Sequence, residues 1–197
     1  AAQMATTALY YKMSEYSLVA IPLFVFMGLL AASGGLSAKL FAAAQLWVGR
    51  LRGALAIAAI LGCTGFGAVC GSALVTASVF ARITAPQMRV HGYDKRLAYG
   101  VCASAGMIGM LIPPSVLAVV YGIVSGVSIG KLLMGGIVPG VLLTIGFSAV
   151  CIGIGYFKPN WVPPPTTHEF RVDWAARLRA LVPLWPIAAV AFVIFGG

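Results

Sequence analysis

The sequence contains few acidic residues. Only four Asp and Glu residues occur among 197, against 13 Lys and Arg, and none of the four lies inside a long apolar run: Glu15, Asp94, Glu169 and Asp173. An intramembrane protease needs a nucleophile with a base, or paired aspartates, at membrane depth. A proton relay also needs titratable groups there. The composition therefore disfavours both classes.

Metal-binding and nucleotide-binding patterns are also missing. His91 and His168 lie in polar segments without partner ligands, and we interpret both as solvated loop residues. Lys131 follows Gly130 but the GxxxxGK[ST] pattern is incomplete, so no ATP-binding loop is predicted. The cysteines form no CxxC pair. We expect four inert buried thiols: Cys63, Cys70, Cys102 and Cys151.

Apolar residues dominate what is present. They make up 61% of the chain, only 9% is charged, and the mean hydropathy is +1.00. Such values predict an all-α polytopic membrane protein in contact with lipid. The net charge of +9 does not indicate nucleic-acid binding, because Lys and Arg fall mostly in short segments between apolar runs, where they set topology.

The first part of the chain, residues 1–53, is predicted to hold a scaffold-type spanning helix and an interfacial helix. Residues 17–32 form the first spanning candidate. From residue 36 to residue 53, apolar residues recur at helical spacing among Lys39, Arg50 and Arg52. This pattern favours an amphipathic helix at the membrane interface, with Trp47 as its anchor.

Residues 54–88 are predicted to form a re-entrant helical hairpin. Gly71-Ser72 interrupts the segment, and each half of about 15 residues extends about 22 Å, less than the roughly 30 Å of a bilayer core. Basic residues flank both ends: Arg50 and Arg52 before, Arg89, Lys95 and Arg96 after. The positive-inside tendency places both ends in the cytoplasm.

Residues 95–157 are predicted to form a broken outward helix, interrupted at Ile112-Pro113-Pro114-Ser115, and a long return helix. Residues 158–180 form a cytoplasmic loop, and 181–197 begin another span. Since the chain starts without Met and stops after a short apolar run, we interpret it as a fragment. The predicted cytoplasmic segments hold ten basic residues, against only Lys12 and Lys131 outside: Lys39, Arg50, Arg52, Arg89, Lys95, Arg96, Lys158, Arg171, Arg177 and Arg179.

The two interruptions are candidates for a cation site. Pro113 and Pro114 lack N–H groups, so the incoming helix should end near Ile112 with free carbonyls. Ser115 and Ser72 are expected to cap the outgoing helices. Unwound backbone at membrane depth persists only where protein, water or an ion satisfies it. Since both breaks lack acidic residues, neutral oxygens would form the site, which favours Na⁺.

Other interpretations remain open. A proline kink alone is common, and Gly67-xxx-Gly71 or Gly136-xxx-Gly140 often marks close helix packing. Arg82 either snorkels, pairs with an acidic lipid or a neighbouring subunit, or binds a substrate carboxylate. A noncatalytic assembly subunit or a passive channel is the alternative function.

An ordered series of motifs resembles the large membrane subunit of tripartite ATP-independent periplasmic (TRAP) transporters, of the dicarboxylate-permease type. The series runs from about residue 18 to residue 157. Its elements are Ile21-Pro22-Leu23-Phe24 with Gly28, Gly49-Arg50-Leu51-Arg52-Gly53, Gly71-Ser72, Pro86-Gln87-Met88 with Gly92-Tyr93-Asp94, Ile112-Pro113-Pro114-Ser115, Tyr121-Gly122 and Val138-Pro139-Gly140.

The resemblance implies an elevator-type secondary transporter of the bacterial inner membrane. It implies Na⁺-driven import of organic acid anions, such as C4-dicarboxylates, keto acids or sialic acids, without a cofactor. The expected partners are a periplasmic solute-binding protein and a small transmembrane subunit. The family's fold has two inverted repeats, of which this chain holds most of the first, so it should not transport alone.

The resemblance also implies a sodium site made largely of backbone carbonyls. Cys70 replaces the family's usual small hydroxyl residue, and Gln87 replaces a usual Glu. Ser72 and Ser115 are expected near the substrate. The implied sodium-binding residues are Cys70, Gly71, Ser72, Ala73, Gly109, Ile112 and Pro114.

Overall fold

The structure, a computed structural model, describes residues 20–49 and 51–163. This part of the chain is entirely helical, as the sequence predicts. Its seven helices are α1 (Ala20–Ser33), α2 (Leu36–Val48), α3 (Ala54–Cys70), α4 (Ala73–Val90), α5 (Lys95–Ile108), α6 (Val116–Ser125) and α7 (Ile129–Phe157). The predicted span over 181–197, most of the loop over 158–180 and the residues before Ala20 lie outside the described residues.

Helix α3 is the centre of the molecule. It contacts α1, α2, α4, α5 and α7, because small residues on several of its faces let neighbouring helices approach closely. Ala58, Ala59 and Cys63 are completely buried. The ring of Phe66 packs against that of Phe80 from α4, with centroids 5.8 Å apart.

Helix α2 shows the amphipathic pattern read from the sequence. Leu36, Leu40 and Ala43 are buried, whereas Lys39 and Trp47 are exposed. Its buried side packs on α3. The exposed indole leaves Trp47 available as an interfacial anchor.

Among the described residues, α7 is the one helix long and apolar enough by itself to cross a membrane. Val25–Ser33 and Leu36–Val48 meet the same criterion only together, and the angle between them is 68°. The helices α3 and α6 are apolar but shorter.

One end of the molecule collects basic residues, and we call Arg52, Lys95, Arg96 and Lys158 the basic end. The start of α3 meets the end of α7 there: a Cβ on Gly53 would lie 3.3 Å from the carbonyl oxygen of Cys151. The segment after α7 joins the α4–α5 turn, because the Asp94 N–H donates to the Trp161 carbonyl at 3.0 Å. The start of α3 and the turn after α4 therefore lie at the same end.

Candidate functional site

The connection between α3 and α4 packs directly on the connection between α5 and α6. Gly71 ends α3 with a φ of +61°, and a Cβ on it would collide with the carbonyl oxygen of Pro114. The carbonyl of Gly71 accepts a hydrogen bond from the Val116 N–H at 3.2 Å. The two interruptions identified in the sequence thus form one contiguous site.

A second glycine contact lies one turn away. Gly67 and Gly109 approach so closely that a Cβ on Gly67 would collide with the Cα of Gly109. A Cβ on Gly109 would lie 3.3 Å from the hydroxyl of Thr76. Only glycine permits backbones to come this near, so both positions hold the α3 tip against the α5–α6 connection.

Helix α7 supports the α5–α6 connection from another direction. A Cβ on Gly136 would collide with the Leu111 carbonyl, and one on Gly140 would lie 2.6 Å from the Ile112 side chain. At 1.5 Å per residue these glycines lie about 10 to 17 Å from the start of a helix about 43 Å long. The site is therefore at intermediate depth along the one long apolar helix of the described residues.

The thiol of Cys70 and the hydroxyl of Thr76 form a buried polar pair at the α3–α4 connection. Their Sγ and Oγ1 atoms are 3.0 Å apart, and the Thr76 hydroxyl donates to the Ser72 carbonyl at 2.8 Å. Both side chains are completely buried. Thr76 therefore fixes the orientation of the Ser72 peptide group.

The two serines at the helix starts act differently. Ser115 caps α6 as predicted: its Oγ accepts from the Ala118 N–H at 3.2 Å and donates to the Met110 carbonyl. The expectation for Ser72 is wrong, because its side chain makes no capping hydrogen bond in α4. Its carbonyl accepts from both the N–H and the hydroxyl of Thr76 instead.

Helix ends of both polarities converge at the site. Helix α3 ends there and presents carbonyl groups, whereas α4 and α6 begin there and present N–H groups. Helix α5 ends at Ile108, not near Ile112 as predicted, because the turn that follows it donates hydrogen bonds to its last carbonyls. Within the described residues, the carbonyls of Cys70, Ile112 and Pro114 accept no hydrogen bond. The arrangement offers neutral oxygens to a cation and amide donors to an anion.

The predicted site residues do not all occupy equivalent places. Cys70, Gly71, Gly109 and Pro114 are buried at the contact between the two connections. Ser72, Ala73 and Ile112 are partly exposed, and Ile112 packs towards α7. Ser115 is 1% exposed, so its hydroxyl reaches a substrate only if the site opens.

Thr76 is not among the site residues predicted from the sequence. Its signal is its position in the first turn of α4, four residues after Ser72, where a hydroxyl can donate to the i−4 carbonyl. The packing of Gly136 and Gly140 on the α5–α6 connection is likewise not predicted. The close-packing interpretation of Gly67 and of Gly136-xxx-Gly140 agrees with these contacts.

Other candidates lie away from this site. His91 is exposed in the α4–α5 turn, where its Nδ1 lies 2.8 Å from the Gln87 carbonyl oxygen. Arg82 is exposed on α4. The four cysteines are free and buried, and no group of three His, Cys, Asp or Glu residues that could hold a metal occurs in the part of the chain described.

These features define a class of protein. One long apolar helix supports two interrupted helical segments at intermediate depth, and unwound backbone of this kind is characteristic of membrane transport proteins. The comparison with known families agrees. The family model described as tripartite ATP-independent periplasmic transporter, DctM component, matches residues 1–197, and the chain belongs to that family. Its characterised relatives are transporters and not enzymes.

Three relatives illustrate the similarity. The C4-dicarboxylate TRAP transporter large permease protein DctM of Pseudomonas aeruginosa is 34% identical over 188 residues, which are 95% of this chain and 43% of that protein. The ectoine/5-hydroxyectoine TRAP transporter large permease protein UehC of Ruegeria pomeroyi is 36% identical over 91% of this chain and 41% of its own length. The isethionate TRAP transporter permease protein DctMQ of Oleidesulfovibrio alaskensis is 40% identical over 100% of this chain and 30% of its own length. The chain thus spans less than half of each relative.

Proposed function

We propose that this chain is part of the large transmembrane subunit of a Na⁺-coupled, binding-protein-dependent importer of organic anions in the bacterial inner membrane. The observation that carries the proposal is the contact of Gly71 with Pro114 and Val116, which joins four helix ends at one site. Family membership supports the transporter class. The names of relatives specify C4-dicarboxylate, ectoine, isethionate and sialic acid, which favours a small organic acid as substrate.

In the proposed arrangement, α3 and α4 form a re-entrant hairpin, and α5 and α6 form a broken helix. Support comes from the positions of the hairpin ends: the start of α3 and the turn after α4 both lie at the basic end, while Gly71 and Ser72 lie at intermediate depth. Positively charged ends favour the cytoplasmic side. On the family resemblance, these parts belong to the moving domain of an elevator.

The proposed sodium site uses the carbonyl end of α3 and the connection between α5 and α6. The free carbonyls of Cys70, Ile112 and Pro114 are hard, neutral oxygen ligands of the kind that alkali cations accept, and the negative end of the α3 dipole adds to the attraction. Thr76 orients the Ser72 carbonyl. Na⁺ entry down an inward electrical potential supplies about 2.3 kcal/mol per charge per 100 mV, which drives anion accumulation.

The proposed substrate site uses the N-terminal ends of α4 and α6. Their N–H groups and positive dipole ends stabilise a carboxylate, and Ser72 and Ser115 stand at the two helix starts. The second inverted repeat of the family's fold would complete the site. A periplasmic solute-binding protein would deliver the anion, and a small transmembrane subunit would complete the membrane complex.

Transport by the full-length permease with its partners in proteoliposomes tests the proposal. We expect substrate to accumulate against its gradient only with an inward Na⁺ gradient. Ser72→Leu should reduce Na⁺-dependent uptake at least tenfold, because the larger side chain occupies the hairpin tip. Thr76→Ala should raise the Na⁺ concentration for half-maximal uptake about fivefold, the scale of one hydrogen bond.

Ser78→Leu is the matched control, since Ser78 lies on the same helix and is exposed. Its uptake should equal that of the unaltered protein. Uptake that equilibrates without accumulating would identify a passive channel, and failure to take up substrate with all partners present would favour an assembly subunit. Unchanged Na⁺ dependence in both Ser72→Leu and Thr76→Ala would remove the site assignment.

A further inference from the structure

A groove unrelated to the helix breaks runs between α3, α5 and α7. Its volume is about 250 Å³. Its walls are mainly apolar, and residues 97–105 of α5 give it a length of about 12 Å at 1.5 Å per residue. Residues that define it include Ile60, Leu97, Val101, Phe147, Ile154 and Trp161.

The mouth of this groove lies at the basic end. Arg96 lines it directly. Trp161 lines it too, and the ammonium of Lys158 lies 4.4 Å from the Trp161 ring centroid. Asp94 is the one acidic residue among the described residues, and its Oδ1 accepts from the backbone N–H of Arg96. The mouth therefore carries an excess of positive charge above an apolar slot.

We propose that the groove binds one anionic glycerophospholipid, with an acyl chain between α5 and α7 and the phosphate at Arg96 and Lys158. The charge at the mouth selects an anionic headgroup, since a guanidinium binds phosphate oxygens through paired hydrogen bonds. The length of the groove matches most of one leaflet, about half of a 30 Å hydrocarbon core. An aromatic ring beside a cation is typical of the headgroup region. The proposal does not depend on Na⁺ coupling or on the substrate.

Quenching of Trp161 fluorescence tests the proposal directly. The full-length permease, with its small subunit, is titrated in detergent with phosphatidylglycerol or phosphatidylcholine carrying brominated acyl chains. Bromine quenches a tryptophan that it contacts. We expect half-maximal quenching at a mole fraction of phosphatidylglycerol about fivefold lower than that of phosphatidylcholine, and we expect Trp161→Phe to remove this difference.

Two variants separate the charge of the site from its shape. Arg96→Gln should remove most of the preference for phosphatidylglycerol. Gly100→Leu should weaken the binding of both lipids. Gly100 lines the groove, and a Cβ there meets no atom within 4 Å, so the larger side chain enters the groove without displacing the backbone. The controls are Arg89→Gln and Gly146→Leu, an exposed arginine and an open helical glycine outside the groove lining. Both should behave as the unaltered protein.

Three outcomes would overturn the proposal. Equal quenching by the two lipids would show that headgroup charge is not recognised. Displacement of the brominated phosphatidylglycerol by millimolar inorganic phosphate would show that the site recognises a free anion and not a lipid. If the small subunit dissociates from the Gly100→Leu permease while lipid binding is unchanged, the groove is the contact for a protein partner.

Discussion

Ser72 and Ser115 show how little a residue type alone determines. Both precede a helix, and both adopt extended backbone geometry, with φ and ψ near −124° and 121° for Ser72 and −122° and 118° for Ser115. Only Ser115 uses its side chain as a cap. Thr76, four residues after Ser72, already donates to the Ser72 carbonyl, whereas Ala118 offers its N–H to Ser115.

The difference between the serines predicts unequal costs of substitution. Ser115→Ala should lower the free energy of unfolding by about 1 to 2 kcal/mol, because a buried cap and a hydrogen bond to the Met110 carbonyl are both lost. Ser72→Ala should change it by less than about 0.5 kcal/mol. Reversible unfolding of the purified full-length protein measures both. Equal losses would contradict the assignment of the cap to Ser115 alone.

Two features of the structure each favour glycine at position 71: a left-handed backbone and a close approach to Pro114. Gly35 has a similar φ of +73°, but a Cβ there meets no atom within 4 Å. Gly35→Ala should therefore cost only the conformational penalty of about 1 to 2 kcal/mol. Gly71→Ala should lower the free energy of unfolding by about 1 to 3 kcal/mol more, because the methyl group would force the α3–α4 connection away from Pro114. Unfolding measurements on the pair isolate the contact, and equal losses would show that Pro114 does not constrain position 71.

At the scale of helices, the sequence predicts where segments end better than how they pack. Gly71, Pro113 and Pro114 act locally, through backbone freedom or a missing donor, so a reader of the sequence can identify them as break points. The Gly136-xxx-Gly140 spacing indicates close packing, but the sequence does not show which segment packs there. Thr76 has a local signal, its place four residues after Ser72, but that spacing alone does not show that its hydroxyl is buried beside Cys70.

One side-chain hydrogen bond joins α3 to α7. Thr64 Oγ1 and Thr144 Oγ1 lie 3.2 Å apart, and each also lies 2.8 Å from a carbonyl oxygen of its own helix. Because a hydroxyl has one proton, one threonine donates to its own helix carbonyl and accepts the hydrogen bond that the other threonine donates. Replacing both threonines with valine, singly and together, should reveal a coupling energy of about 0.6 kcal/mol, the average for such bonds in membrane proteins. Thr84 serves as control partner for Thr144, since its buried hydroxyl has no hydrogen-bond partner among the described residues. A coupling between Thr84 and Thr144 as large as that of Thr64 would contradict a direct bond.

On the scale of the whole molecule, the basic residues and the helix breaks lie at different positions along the length of α7. The basic end lies where α3 starts, α4 turns into α5 and α7 finishes, while the helix breaks contact the first half of α7. By the positive-inside tendency, this polarity agrees with the proposed orientation, in which the basic end faces the cytoplasm. The order of charges along the sequence predicts it. The groove at the basic end was not predictable, because its lining comes from three helices and the segment after α7.

The proposed orientation predicts which positions are reached from each side of the membrane. In the full-length protein, Arg52→Cys and Arg89→Cys should react with a membrane-impermeant maleimide only in inside-out vesicles, because both positions are exposed and flank the proposed hairpin at one end. Ser128→Cys, exposed before α7, should react only in intact spheroplasts. The cysteines of the described residues give a low background, because all four are buried. Labelling of positions 52 and 89 from opposite sides would mean that α3 and α4 cross the bilayer, since a re-entrant hairpin must return both of its ends to the side from which it entered.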